Sequence, residues 1–85
     1  MYHLLVCGES FQGLCFAERD RAREHLRFSL LLAGSIPAEH IWVWDATNQA
    51  QLLVNTYPAR NEAEARKESL QRAGLRCRIV TRLPG

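Results

Sequence analysis

"HIWVWDATNQAQLLVNTYP", His40 to Pro58, carries two β-rich runs on either side of Asp45, Ala46, Thr47 and Asn48. Asp, Thr and Asn hydrogen-bond their own backbone in turns, so a chain reversal between two runs of β-branched and aromatic residues is a hairpin. The expected strands are about His40 to Trp44 and about Gln51 to Tyr57, the second ended by Pro58. Everything else in the chain is arranged around this hairpin.

Upstream, Ala17 to Ala33 follows a helical pattern. Charges crowd its first half, while Ala22, Leu26, Leu30 and Ala33 recur at spacings of three and four. Gly34 is the expected left-handed residue after its end, with Pro37 three positions on. Phe28, Leu31 and Leu32 make the last turns apolar on more than one side, which predicts that this end sits deepest in the protein. Before the helix, Tyr2 to Cys7 is a short apolar and aromatic run closed by Gly8, the pattern of a central strand. Residues 9–16, "ESFQGLCF", read either as a connecting loop or as a returning strand.

Downstream, "NEAEARKESLQRAG" predicts a second helix. Asn61 is the expected N-cap with Glu64 reaching back as a capping box, Ala63, Leu70 and Ala73 form the apolar stripe, and Gly74 ends it. Glu62 with Arg66 and Glu68 with Arg72 are pairs four apart. Arg76 to Arg82 alternates as a last strand, with Cys77 and Ile79 on one side and Arg78, Val80 and Arg82 on the other.

The order strand, helix, strand, strand, helix, strand predicts a single α+β domain of ferredoxin-like architecture, a two-layer sandwich with two helices on one face of a four-stranded antiparallel sheet. Ile41, Val43, Cys77 and Ile79 suit the helix-covered face. Trp42, Trp44, Arg78 and Arg82 then share the open face, on opposite edge strands about 14 Å apart. A large exposed apolar surface calls for a cover. Three covers fit: an identical subunit, a ligand or another partner, or the protein's own core if the faces are reversed.

Chemistry is sparse. "GESFQGLC", Gly8 to Cys15, has the glycine spacing of a phosphate-binding loop, but Leu14 stands where the lysine belongs and Cys15 where a Ser or Thr would bind magnesium. Gly13 falls three residues after Ser10 rather than two, so the segment also misses the nucleophile elbow of hydrolases. His3 and Cys7 are roughly 13 Å apart along an extended strand, too far to share a metal ion. His25 reads as solvated and His40 as a strand-boundary residue. Three cysteines, Cys7, Cys15 and Cys77, show no C-x-x-C spacing. Cys7 and Cys77 read as buried inert thiols, and only Cys15 as a reactive one. No cofactor and no enzymatic activity are expected.

The chain's charge is +2, unevenly placed: residues 1–59 hold 4 basic and 6 acidic groups, residues 60–85 hold 7 and 3. That asymmetry favours an anionic partner but falls short of a dedicated nucleic-acid binder. The first residues lack the basic start and apolar stretch of a secretory leader, no run approaches the roughly 20 residues that span a bilayer, and the free thiols suit a reducing compartment, so a cytoplasmic protein is expected.

"LLVNTYPARNEAEARKESLQRAGLRCRIV", Leu52 to Val80, resembles the second repeat of SPOR domains, ferredoxin-like modules of bacterial cell-envelope proteins. The likeness lies in a strand, the turn "YPARNEAEA", a leucine-bearing helix ending in "RAGL" and an alternating last strand. It implies binding to the denuded glycan strands of peptidoglycan and no catalytic residue. The expectation from the residues themselves is a non-enzymatic interaction domain that binds a copy of itself through the face bearing Trp42, Trp44, Arg78 and Arg82. Binding of a glycan strand or single-stranded nucleic acid to that face is the alternative.

Overall fold

The computed structural model describes residues 1–35 and 41–83. The chain runs β1 (Tyr2–Ser10), α1 (Phe16–Leu32), β2 (Gln49–Tyr57), α2 (Arg60–Arg72), β3 (Arg76–Val80). It is an α+β fold with one antiparallel sheet in the order β2-β1-β3. β1 is the central strand, as its continuous apolar run predicts. It continues through Gly8 to Ser10, and residues 11–15 form a turn into α1 rather than a returning strand. Gly8 allows a close approach, since a Cβ there would lie 3.3 Å from Leu26 of α1.

The four-stranded ferredoxin-like sandwich is not formed. Of the expected strand from His40 to Trp44, the described part makes a single bridge, Trp42 opposite Leu52. Its hydrogen bonds to β2 run from the Val43 N–H to the Gln51 carbonyl (2.9 Å) and from the Leu53 N–H to the Ile41 carbonyl (3.0 Å). His40 lies outside the described residues. The reason the pairing stops is local. The Asp45 carboxylate accepts from the Thr47 N–H at 2.9 Å and from its hydroxyl, and the Asn48 N–H reaches back to the Asp45 carbonyl at 3.1 Å. That turn pulls the backbone out of the ladder directly after Trp44. Asn48 completes it with φ of 51°, a left-handed conformation that asparagine tolerates.

Both helices cover one face of the sheet. Leu4 and Val6 of β1 and Ala50, Leu52 and Val54 of β2 pack into one buried cluster with Ala22, Leu26 and Leu30 of α1 and Leu70 of α2. The two helices end alike. The N–H of Gly34 bonds to the Leu31 carbonyl and that of Ser35 to the Leu30 carbonyl; Gly74 with Gln71 and Leu75 with Leu70 repeat the pattern. Both are Schellman motifs, and their glycines take φ of 82° and 92°, where a side chain would be strained.

Three further expectations are corrected. The N-cap of α2 is Ala59, without a side-chain cap, and Asn61 lies inside the helix. Pro58 ends β2 early enough for the helix to begin at Arg60, whose side chain pairs with Glu64 at 3.5 Å. The end of α1 is not deepest: Phe28, Leu31 and Leu32 are 57%, 45% and 74% exposed. A two-residue step along a helix turns about 200°, so Phe28 and Leu32 point away from the sheet that Leu26 and Leu30 face. Only one layer covers α1. β3 ends at Val80, so Arg82 lies beyond the sheet, exposed.

Candidate functional site

The two faces of the sheet sort the predicted residues. Trp42 stands opposite Leu52, whose side chain is buried under the helices, and Trp42 itself packs half-buried against that cluster. Arg78 stands opposite Leu5 on the other face. The structure therefore separates Trp42 from Arg78, and Val43, buried, takes the position expected of a tryptophan. The alternation of the pentapeptide is as read, with the faces exchanged. Trp44 is 68% exposed, its indole N–H donating to Asn48 Oδ1 at 3.3 Å.

On the helix-free face a polar network replaces the expected open surface. Arg78 lies on β3, opposite Leu5 of β1, yet its Nε donates to Gln51 Oε1 on β2 at 2.9 Å and its terminal nitrogen reaches the Asp45 carboxylate. The side chain therefore crosses the central strand, and Leu5 beneath it is fully buried. Gln51, also buried, donates from Nε2 to the Thr47 hydroxyl at 3.4 Å. The hydroxyl of Thr47 holds the Asp45 carboxyl down at about 2, helped by the Thr47 N–H, Gln51 and Arg78 against the opposing effect of burial. His3 meets the Thr56 hydroxyl at 2.8 Å further along this face.

A second constellation lies at the end of the sheet where the first turn of α1 meets the Asp45–Asn48 turn. Phe11, buried, is fixed there by its N–H to the Asn48 carbonyl (2.8 Å) and by the Leu14 N–H to its own carbonyl (3.0 Å). The guanidinium carbons of Arg19 and Arg23 lie 5.7 and 5.4 Å from the centroid of its ring. With Trp42, Trp44, Val43 and Gln51 they enclose a cleft of about 150 Å³. Arg23 is paired with Asp20 at 2.5 Å, whereas no carboxylate pairs with Arg19 among the described residues. Arg19 Nε donates to the Leu14 carbonyl at 3.1 Å, so that bond engages neither of its terminal nitrogens. Sequence reasoning found the tryptophans of this cleft but not its arginines. The available signal was the four-residue spacing of Arg19 and Arg23 beside the buried Ala22–Leu26–Leu30 stripe.

The three cysteines are free. Burial, outweighing Arg78 and Arg76, raises the Cys7 thiol, and burial pushes Cys77 up to about 11. Cys15 is exposed, its thiol donating to Glu18 at 3.1 Å. Among the described residues no three His, Cys, Asp or Glu side chains gather as metal ligands, and no helix is long and apolar enough to cross a membrane. No protein family matches this sequence, and no curated protein or solved structure proves similar to it.

Proposed function

We propose that this chain is a small interaction domain, not an enzyme, that pairs with a copy of itself in the cytoplasm. The observation that carries this reading is the outer face of α1: Phe28, Leu31 and Leu32 adjoin one another at helical spacings of three and four and are all exposed. Apolar side chains so grouped mark a docking surface rather than scattered exposure. A helix face is self-complementary across a two-fold axis, so two antiparallel α1 helices can bury the same three residues against each other. The Arg27–Glu24 ion pair, 2.7 Å, neutralises the charges beside the patch and removes repulsion between copies. Three free thiols fit a reducing compartment.

This surface replaces the sheet face expected from the sequence, because Arg78 is engaged with Asp45 and Gln51 and faces away from Trp42. A patch of three side chains is smaller than a standard interface, so the dimer is weak, with a dissociation constant on the order of micromolar or weaker. Sedimentation over a wide concentration range tests it. The native chain approaches twice the monomer mass at high concentration, and Leu32→Glu stays monomeric while remaining folded. A native chain that is monomeric throughout removes the proposal.

A further inference from the structure

We infer that the cleft between Phe11, Arg19, Arg23, Trp42 and Trp44 is a binding site for a nucleotide unit, a base set against the indoles and its phosphate on Arg19. At about 150 Å³ the cleft is smaller than the pockets that engulf whole drug-sized ligands, so it accepts one planar ring system and leaves the remainder outside. Its walls suit a ring with an attached anion. Trp42 is held half-buried against the core and Trp44 stands 68% exposed beside it, so one indole is fixed and the other is accessible. Every base has a π-face, and stacking on such side chains tolerates any sequence.

The charge of the site is built in rather than incidental. Phe11 is buried and pinned by two backbone hydrogen bonds, and its ring holds both guanidiniums in place. Arg23 is neutralised by Asp20, which leaves Arg19 as the cation with no carboxylate among the described residues. Asp45, whose turn adjoins the site, is committed to Thr47 and Arg78 on the far face. An arginine whose plane is already supported on a ring gives bidentate contact to phosphate at little further cost in side-chain entropy. Neutral polymers such as glycans would leave that cation unanswered. Arg19 and Arg23 flank the buried stripe of α1, whereas Phe28 and Leu32 are on the opposite side, so the site stays open whether or not the chain pairs with itself.

The test is titration of intrinsic tryptophan emission with adenosine monophosphate, adenosine, a short single-stranded oligoadenylate and a neutral chitin oligomer. Adenosine monophosphate and the oligonucleotide quench the emission saturably, and adenosine and the chitin oligomer bind at least tenfold more weakly. Comparable affinity for the mononucleotide and the oligonucleotide identifies a free nucleotide as the ligand, and a large gain with the oligonucleotide identifies a single strand. Trp44→Ala and Arg19→Gln each weaken binding about tenfold with unchanged circular dichroism. Arg19→Gln also lowers the slope of log affinity against log salt for the oligonucleotide by about 0.7. Absence of saturable quenching, equal binding of adenosine, or affinity untouched by both substitutions would each overturn the assignment.

Discussion

Arg78 crosses the central strand to meet Asp45, so one side chain ties β3 to the turn after the two tryptophans and roofs Leu5 on the way. The contact joins residues 33 positions apart and closes the face that carries no helix. It explains how a two-layer domain of 85 residues keeps a leucine fully buried on its uncovered side.

Removal of this arginine takes the cross-strand cover from beside Leu5 and leaves Asp45, only 14% accessible, with its Thr47 hydrogen bonds but without its ion pair. Arg78→Ala is expected to cost about 1–3 kcal/mol, as for loss of hydrogen bonds to a charged, partly buried group. Arg78→Met keeps the apolar cover and separates the two effects. Urea midpoints of the three proteins measure both; equal midpoints would show that the bridge contributes nothing.

The same carboxylate sets an acid limit. Its folded value, about 2, lies below the ordinary 3.8, so ionised Asp45 stabilises the fold above pH 3.8 and that contribution is lost as pH falls toward 2. Thermal unfolding of the native chain should weaken across that window more steeply than that of Asp45→Asn, which lacks the titrating group. Parallel curves from pH 5 to 2 would assign the acid sensitivity to other carboxylates, with about the ordinary window of such groups.

Thiol labelling at neutral pH should proceed in the order of exposure. Cys15, exposed, reacts first, and Cys7 and Cys77, half-buried, follow more slowly, because burial raises both and disfavours their thiolates. Mass spectrometry of partially labelled protein reads the order directly. Labelling of Cys77 ahead of Cys15 would overturn that order.

Much of this was legible in the residues. The spacing of Ala22, Leu26 and Leu30 gave the buried stripe of α1, and the two "AG" sequences gave both helix ends, because a left-handed glycine is a local requirement. The central strand followed from the apolar run Tyr2 to Cys7, although Gly8, read as its end, lies within it. What failed were judgements that depend on the number of layers. Alternation says that Trp42 and Val43 face opposite ways, but only the packing of Leu52 says which way is in. Phe28, Leu31 and Leu32 read as deeply buried because an apolar face on more than one side implies two neighbours, and this fold supplies one. Asp45 read as a turn residue, which it is; that the turn would end the fourth strand, and that its carboxylate would reach Arg78, depends on tertiary contacts. The cleft was half visible, since its arginines looked like part of a solvated charge cluster.

Burying Leu70 joins α2 to the cluster beneath the sheet, where it is almost fully enclosed with Leu4, Leu26 and Leu30. Leu70→Ala should cost about 2–5 kcal/mol, the range for a leucine deleted from a close-packed core. In a small domain that is a large part of the total, so the variant should be partly unfolded at room temperature. Circular dichroism against temperature decides; a loss below 1 kcal/mol would mean that α2 packs loosely and is not part of the core.

Single-tryptophan variants distinguish the two indoles and, with them, the two surfaces assigned above. Trp44, 68% exposed, should be strongly quenched by acrylamide in Trp42→Phe, whereas Trp42, packed against the helix-side cluster, should be quenched several-fold less in Trp44→Phe. Neither ring lies on the outer face of α1, so neither value should change as protein concentration carries the chain from monomer to dimer. Protection of Trp44 that grows with concentration would move the self-association surface from Phe28, Leu31 and Leu32 to the hairpin and would set copies of the chain across the Arg19 cleft. Quenching that is independent of concentration but relieved by adenosine monophosphate keeps the two surfaces apart, one for a second copy and one for a ligand, on opposite sides of a single helix.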